Sequence, residues 1–428
     1  MSARGELFTY VGLDVTDTSL TARFDLDGRA FTEVATFTGV GTLTTPASRA
    51  VANLWYLLAG LSYYKAGAAR HVDLAATSIT PGGRKLLSAA LHDGLGEFAF
   101  RNHLSLDDVV IEGGLDAHAQ PAALDAHQVL TPFGGGIDSV VTTSELKGRV
   151  DQALFIVSPS SGRFAPLEET AHATGLPIVR VTRSLDHQLL SDDPTLLHGH
   201  VPVTAMITLL ASTAAVASGR GGVVMSNEHS ASSPNLRWNG SDVNHQWSKS
   251  FLAEKLIASA VDEAINGELV VASYLRDRSE LWVAAVFSHL TEFHHVFRSC
   301  NRAFTQSNER RASTWCGECD KCLFINLILA PFLPRATLRE IFASEPLSDP
   351  ARAGQLRTLV GLGDEHKPFE CVGDPDESAV ALAKVSALSE WADVTYLDEL
   401  AQLASPDRDF DELLSPQGPS RVPAHWLR

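Results

Sequence analysis

The sequence predicts an α/β protein with a parallel-sheet domain, preceded by an α+β domain and followed by a Cys-rich, mostly helical part. Three observations predict this class. The chain begins with alternating strands joined by a turn at Asp27-Gly28. Residues 121–290 alternate short β-branched runs with helical segments. Beyond them lie four clustered cysteines and a series of helical patterns.

The length of the chain indicates more than one domain. Its 428 residues, of which 45% are apolar, suffice for two or three domains with a sizeable core. We place an N-terminal α+β domain at 1–120 and an α/β domain at 121–290. A cysteine cluster follows at 291–335, and a helical region at 336–428.

The N-terminal domain is predicted to open with three strands, LFTYVGLDV, SLTARFDL and AFTEVATF. Their alternating polarity and the Asp-Gly turn are typical of a hairpin. A helix, ASRAVANLWYLLAGLSYYKAG, comes next. It is followed by a helix from about Pro81 to Phe100 and a strand within DDVVIEGG.

In the central domain we predict strands at VLTPF, ALFIVSP and PIVRVT, and a further strand with its exit loop in GGVVMSNEHS. Helical segments separate them, as in a parallel sheet covered on both faces. Ligands of such sheets bind at the carboxyl ends of the strands. The loops PFGGGIDS, IVSPSS and MSNEHSASS are therefore expected to form the site.

The composition excludes several classes of partner. A net charge of −17 disfavours nucleic acid and anionic membranes. The longest apolar segment, Val201 to Ser218, is interpreted as a buried helix starting at Pro202, and the N-terminus lacks the apolar core of a signal peptide. Three of the five cysteines are packed closely together, unlike a secreted disulfide framework. We expect a cytoplasmic protein with a small-molecule substrate; the oligomeric state is left open.

The glycine-rich loop PFGGGIDS is a candidate phosphate site. Glycines allow backbone N–H groups to surround an anion, and a helix N-terminus adds its dipole. Ser139 can donate a hydrogen bond, and Asp138 can cap the helix or hold Mg²⁺. A simple strand-to-helix turn is the alternative. The predicted phosphate-binding residues are Gly134, Gly135, Gly136, Asp138 and Ser139.

This loop resembles the SGGxDS signature of the PP-loop ATP pyrophosphatases. Those enzymes cleave ATP between the α- and β-phosphates and adenylylate a substrate. Gly134 stands where the signature usually has Ser, which puts one side-chain contact in doubt. The resemblance implies a PP-loop fold that binds ATP and Mg²⁺, with the adenosine near Val157 and Ser158.

The cysteine cluster is predicted to bind a metal ion. Four thiolates can surround one tetrahedral Zn²⁺, and a closed site of this kind is structural. An iron–sulfur cluster is the main alternative, because thiolates also suit it. His294 and His295 are possible substitutes for the first cysteine. The predicted ligands are Cys300, Cys316, Cys319 and Cys322.

A polar block lies between these two motifs, in SNEHSASSPNL and VNHQWSKSFLAEKL. So many hydrogen-bonding residues are costly to bury without a ligand, although a solvated loop with helix caps is the alternative. Asn227 and Glu228 are predicted to meet the α-phosphate or its Mg²⁺. The substrate is assigned to Asn244, Arg298 and Arg302; exposed arginines beside a zinc knuckle are the plain alternative.

Six blocks in order, PFGGGIDS, SNEHSAS, VNHQWSKS, VFRSCNRAF, WCGECDKC and HKPFECVG, resemble the UDP-N-acetylmuramoyl-L-alanyl-L-glutamate epimerases. These bacterial enzymes invert the terminal L-Glu of a peptidoglycan precursor to D-Glu, using ATP and Mg²⁺ and releasing AMP and pyrophosphate. The resemblance spans most of the chain. It implies an ATP-dependent isomerase whose substrate is UDP-MurNAc-L-Ala-L-Glu.

This chemistry requires proton carriers. The α-proton beside a carboxylate is very weakly acidic, and adenylylation removes the charge so that a side chain can take the proton. The candidates are His245, His229, Lys249 and Cys371, and inversion is easiest with two of them. For Cys371 the alternative is a buried structural cysteine.

Two other functions compete with this hypothesis. The first is a different PP-loop enzyme, such as an amide or nitrile synthase or a tRNA thiolase. The acidic composition and the lack of any cysteine before Cys300 disfavour a thiolase. The second is a non-enzymatic nucleotide-binding regulator with a zinc-stabilised interaction module.

Overall fold

The computed structural model describes residues 4–191, 193–304, 314–363 and 366–427, which form an α/β architecture around a large, mostly parallel sheet. The strands of the described chain are β1 Leu7–Val15, β2 Ser19–Leu26, β3 Arg29–Thr38, β4 His71–Asp73, β5 Ser78–Ile79, β6 Val110–Glu112, β7 Leu115–Asp116, β8 Asp125–Pro132, β9 Asp151–Pro159, β10 Ile178–Ser184, β11 Arg220–Met225, β12 Leu236–Trp238, β13 Ser241–Val243 and β14 Val270–Ser273.

The described residues also form α-helices. These are α1 Pro46–Ala59, α2 Leu61–Tyr64, α3 Pro81–His92, α4 Gly96–Asn102, α5 Ile137–Glu145, α6 Ala165–Ala173, α7 Val203–Ala217, α8 Phe251–Ile265, α9 Glu280–Ser288, α10 Asp320–Leu329, α11 Arg335–Phe342, α12 Ala353–Leu359, α13 Pro375–Ser386, α14 Thr395–Ala404 and α15 Phe410–Leu413.

The large sheet has ten strands in the order β14-β11-β8-β9-β10-β3-β2-β1-β4-β6. Strands β1, β2, β3 and β10 pair antiparallel in succession, and the other neighbours pair in parallel. The predicted strands of residues 1–120 and 121–290 therefore share one sheet through the β3–β10 pair. The domain boundaries themselves stay predictions.

Two apolar cores lie on opposite faces of the parallel strands. Along β9, Phe155 belongs to one core, whereas its neighbours Leu154 and Ile156 belong to the other. Successive side chains of a strand point to opposite faces, so a strand buried on both faces needs a continuous apolar run. This explains why the central strands lack the alternation of β2.

The helix predicted from about Pro81 to Phe100 is wrong in its extent, since it is divided into α3 and α4. Gly94 lies at the break, where an added Cβ would come within 2.9 Å of the Trp247 ring. The backbone packs closely against the indole there, which the local sequence does not reveal. After the break α4 begins at Gly96, and its first turn carries Glu97.

The long apolar segment forms α7, a helix of the first core with most of its residues buried. No helix among the described residues is both long and apolar enough to cross a membrane.

An ion pair between Glu33 of β3 and Arg183 of β10 lies at the junction of the two halves of the sheet, with Glu33 fully buried. We expect Glu33→Leu to lower the free energy of unfolding by about 3 kcal/mol, because it leaves a buried guanidinium without its carboxylate. Urea unfolding measures the loss. The double variant with Arg183→Leu is expected to recover most of it; equal stability of single and double variants would contradict this explanation.

Candidate active site

The glycine loop joins the carboxyl end of β8 to the amino end of α5. Gly135 has a φ of +74°, and a Cβ on it would lie 3.3 Å from the Leu167 Cα. A Cβ on Gly136 would lie 2.6 Å from the Ser299 Oγ, whereas one on Gly134 would meet no described atom within 4 Å. The loop therefore has room for a side chain only at Gly134, the position where the signature has Ser.

Asp138 lies in the first turn of α5 and faces the interior. Its Oδ1 is buried and has no hydrogen-bond partner within the described parts of the chain. Burial and then the Glu228 carboxylate raise the pKa of Asp138 to about 6. Ser139 donates its hydroxyl to the Gly136 carbonyl at 3.0 Å. A buried carboxylate oxygen without a partner beside a second carboxylate fits a divalent cation.

The residues after β11 meet those at the end of β14. The N–H of Asn227 donates to the Ser273 Oγ at 2.6 Å, and that hydroxyl donates to the Asn227 carbonyl at 2.7 Å. Glu228 is only 2% exposed, and the Oγ of Ser226 is buried without a partner in the described chain. The predicted loop thus presents buried polar groups at the carboxyl edge of the sheet, as expected for a parallel sheet.

Arg276, which the sequence analysis missed, ties this edge together. The side chain is 1% exposed, and its Nε donates to the Glu254 Oε2 at 2.8 Å. Its Nη1 donates to the Glu228 carbonyl at 2.9 Å and its Nη2 to the Lys249 carbonyl at 2.7 Å. No local signal marks this residue, because its partners come from two other segments, one with Glu228 and one with Lys249 and Glu254.

The predicted adenosine residues lie on β9. Val157 and Ser158 belong to its carboxyl-terminal half, and Ser158 borders a cleft of about 230 Å³. Arg163 and Arg180 also line this cleft.

Cys371, Lys249 and His245 come together in the interior. Burial would raise the pKa of Cys371, but the Lys249 ammonium and then His245 lower it to about 6. Burial would lower the pKa of His245, yet a hydrogen bond with Cys371 and another with Glu97 raise it to about 9. The pKa of Lys249 is raised despite its burial, chiefly by Cys371 and then Glu228. At neutral pH these values correspond to a thiolate between two cations.

Glu97 and His200 extend this cluster, and the sequence analysis missed both. Glu97 is 5% exposed and bonds to His245 Nδ1 at 2.5 Å; its other oxygen accepts from Arg101 at 2.7 Å. The His200 ring lies 4.3 Å from that of His245, centroid to centroid. Burial, followed by the charge of His245, lowers the pKa of His200 to about 4. Glu97 lay inside a predicted helix and His200 in a polar connection, so neither stood out.

Further buried ionisable side chains lie around Asp138 and Glu228, and none of them was predicted. Lys321 lies near Asp138 and Cys371 and lowers the pKa of each. Burial raises the pKa of Glu377 to about 8, and its carboxylate accepts from the Glu280 N–H at 2.9 Å. The Glu280 Oε2 and the Lys367 Nζ are buried and have no partner in the described chain. Such groups are costly unless a polar ligand satisfies them.

The predicted substrate arginines differ in position. The N–H of Arg298 donates to the Gly135 carbonyl at 3.0 Å, and its Nε is buried without a described partner. Arg302 is half-exposed and pairs with Glu318 at 2.5 Å. The structure thus places the first arginine against the glycine loop and the second beside the cysteine cluster.

The other two predicted polar residues contact protein groups. The Nδ2 of Asn244 donates to the Ala231 carbonyl at 3.0 Å, and its Oδ1 accepts from the Gln246 N–H at 2.7 Å. His229 lies against the C-terminal segment, since a Cβ on Gly418 would lie 3.1 Å from its ring. Burial lowers the pKa of His229.

The four clustered cysteines have ligand atoms within 4.8 Å of one another, a geometry compatible with structural zinc. The Sγ atoms of Cys316 and Cys322 are 3.7 Å apart, and those of Cys319 and Cys322 are 3.5 Å apart. A tetrahedral zinc with Zn–S bonds of 2.3 Å separates its sulfurs by about 3.8 Å. The thiols are free, and Cys300 completes the set.

The chain matches two family models. Residues 2–274 match the MurL N-terminal domain, and residues 296–412 match the MurL C-terminal domain. Cys371 lies in the second segment, whereas Lys249 and His245 lie in the first.

The chain also resembles three proteins named UDP-N-acetyl-alpha-D-muramoyl-L-alanyl-L-glutamate epimerase. The relative from Salinispora tropica is 36% identical over 91% of this chain and 88% of its own length. Those from a Micromonospora species and Xanthomonas oryzae pv. oryzae are 35% and 34% identical, over 99% and 91% of this chain and 98% and 87% of their own. No solved structure matches the chain.

The cysteine site leads to a prediction about metal content. We expect about one zinc per chain, and we expect Cys319→Ser to lose it and to unfold at lower temperature, since a structural site contributes folding energy. Cys371→Ser is the matched control and should keep the metal. Elemental analysis with thermal unfolding decides; iron with visible charge-transfer absorption would overturn the zinc assignment.

The Cys371 thiol and its cationic neighbour Lys249 lead to a prediction about how the rate of alkylation depends on pH. Iodoacetamide should alkylate Cys371 with a rate that rises from pH 5 to 7 around a midpoint near 6, because the thiolate is the nucleophile. Mass spectrometry of the Cys371 peptide follows the reaction. Lys249→Met should move the midpoint to higher pH.

The control for Lys249→Met is Lys255→Met, the same change in a lysine whose Nζ lies 4.8 Å from the Phe251 ring centroid. It should leave the midpoint near 6. A midpoint near 9 in the wild-type protein would contradict the thiolate.

Proposed function

The chain belongs to the UDP-N-acetyl-alpha-D-muramoyl-L-alanyl-L-glutamate epimerase family, and we propose that it inverts the terminal L-Glu of UDP-MurNAc-L-Ala-L-Glu to D-Glu at the expense of ATP. The product is a precursor of peptidoglycan. One observation carries the proposal to a mechanism. A thiol with a lowered pKa, Cys371, lies in the same buried cluster as Asp138 of the glycine loop.

ATP is placed with its phosphates at the glycine loop, in a PP-loop fold. Three features support this assignment. The backbone at Gly135 and Gly136 has no room for a Cβ, the loop leads into the amino end of α5, and the Asp138 Oδ1 is buried without a described partner. Asp138 and Glu228 would hold Mg²⁺, which neutralises phosphate charge during the transfer. The cleft beside Ser158 is assigned to the adenosine.

The first chemical step activates the substrate. An oxygen of the Glu α-carboxylate attacks the α-phosphorus of ATP, the bond to the β-phosphate oxygen breaks, and pyrophosphate leaves. The resulting acyl-adenylate no longer carries the carboxylate charge, so loss of the α-proton gives a far less charged enolate. Lys321 and Arg298 lie near the loop, where they can balance phosphate charge.

The second step moves the proton. Cys371 is the group that exchanges a proton with Cα on one face, because its cationic neighbours Lys249 and His245 keep it ionised at neutral pH. A second carrier serves the opposite face, for which His245, His229 and Lys249 are the remaining candidates. Water then hydrolyses the mixed anhydride of the acyl-adenylate, releasing AMP and the inverted product as its carboxylate.

The reaction itself tests the function. Incubation with ATP, Mg²⁺ and UDP-MurNAc-L-Ala-L-Glu should release AMP and pyrophosphate in a substrate-dependent manner and produce the D-Glu diastereomer. Chiral analysis of the hydrolysed peptide and AMP quantification measure both. Epimerisation without AMP release would refute the adenylate, and the absence of both would refute the function.

Two substitutions should separate the steps. Asp138→Asn is expected to lower AMP release by about 100-fold, because it removes one of the two carboxylates that would hold Mg²⁺ at the phosphates. Cys371→Ser should still form AMP but lose incorporation of solvent deuterium at Cα. Asp125→Asn, at the opposite end of β8, is the control for the first change and should be fully active. Equal loss of both readouts in Cys371→Ser would argue against a proton-transfer role.

A further inference from the structure

Glu97 reaches the thiol cluster from the N-terminal part of the chain, on α4. Its Oε2 lies 2.5 Å from His245 Nδ1, and the Arg101 Nε holds the other oxygen at 2.7 Å. The Glu97 side chain is 6% exposed, and burial would raise its pKa, but the hydrogen bond and charge of His245, together with His200 and Arg101, lower it. The pair is therefore a buried carboxylate–imidazolium contact, and such charge-assisted bonds are strong and directional.

The bond to Nδ1 determines which nitrogen faces the thiol. An imidazole has two ring nitrogens, and the one bonded to the carboxylate cannot also serve Cys371. His245 and Cys371 also lie close enough for each to shift the pKa of the other. Nε2 is the ring nitrogen left for the thiol, so the three side chains can act in sequence from carboxylate to imidazole to sulfur.

We propose that Glu97 is a positioning residue that orients His245 and keeps it protonated, so that His245 in turn holds Cys371 as a thiolate for proton transfer at Cα. This inference rests on the proposed function for the reaction of Cys371. The arrangement corresponds to that of a catalytic triad, in which a carboxylate fixes the tautomer and the direction of the imidazole.

A metal ion bound to Glu97, His200 and His245 is the alternative interpretation of this cluster, since their ligand atoms lie within 4.8 Å of one another. The distance between Glu97 and His245 decides against it. Two ligand atoms bound at about 2.1 Å to one tetrahedral zinc lie about 3.3 Å apart. At 2.5 Å the two atoms share a proton, which is the contact that the proposal requires.

Other charged groups face the same atoms. His200, Arg101 and Glu97 act on His245 or on one another, and the thiol also faces four further ionisable side chains, one of them from the residue before it. These are Asp138, Lys249, Lys321 and Glu370. Because Lys249 also stabilises the thiolate, removal of Glu97 is expected to shift the thiol titration without abolishing the thiolate.

The experiment is a thiol titration of full-length Glu97→Gln, followed by absorbance at 240 nm and referenced to Cys371→Ser. Loss of the carboxylate lowers the proton affinity of His245, so the thiolate loses a cationic neighbour and the midpoint should rise by at least one pH unit. Deuterium incorporation at Cα should fall at least about twofold at pH 7, in step with the thiolate fraction, with its acidic limb displaced to higher pH and AMP release retained.

The titration needs no substrate, so it remains informative if the proposed function fails. Glu345→Gln is the matched control, because that carboxylate likewise bonds arginine side chains, at the remote α11, and should leave the midpoint unchanged. If Glu97→Gln does not fold, Glu97→Asp keeps the charge but retracts it, and a smaller upward shift is expected.

Two results would overturn the proposal. One is a folded Glu97 variant with unaltered thiol midpoint and unaltered deuterium exchange. The other is a wild-type protein with two zinc ions per chain that falls to one in Glu97→Gln, which would make Glu97 a metal ligand.

Discussion

The buried ion pair between the Lys249 ammonium and the Cys371 thiolate is the interaction on which the site depends. Removing either charge from water is costly, and each is tolerated because the other lies beside it. Two further charged groups take part. His245 is a second cation near the thiolate, and the Glu97 carboxylate balances the charge of His245. A low-dielectric surrounding strengthens every one of these contacts, so the cluster behaves as a unit.

The fold assembles this cluster by bringing distant segments of the chain to one edge of the sheet. The antiparallel pair β3–β10 makes a single sheet of the first and central parts of the chain, and α4 brings Glu97 to the central part. Arg276 links two segments at this edge by donating hydrogen bonds to the carbonyls of Glu228 and Lys249. The C-terminal part contributes Cys371. No single segment therefore contains the site, and its order depends on the packing of all three.

The same arrangement explains how activation and proton transfer can be coupled. Asp138 of the glycine loop lies in the electrostatic field of the cluster that contains Cys371 and Lys249. An adenylate formed at the loop would present its Cα to a thiolate already held in the ionised state. In the proposed mechanism burial would have two effects: it would slow hydrolysis of the acyl-adenylate until the proton has moved, and it would strengthen the charges around it.

The sequence by itself determined the local features, whose physical cause is local. Alternation predicted β2, continuous apolar runs predicted the buried strands, and the Cys-x2-Cys-x2-Cys spacing predicted sulfurs close enough for one metal ion. It also indicated the glycine loop and named Lys249, His245 and Cys371 separately, though not that they touch.

Only the tertiary structure decided the partners. The contacts of Glu97 with His245 and of Arg276 with Glu254 join residues far apart in the chain, so no periodicity or spacing records them. The division of the predicted helix after Pro81 depends on the packing of Gly94 against a distant indole. Charge compensation in an interior is a property of proximity in space, and proximity between segments arises only once the sheet is assembled.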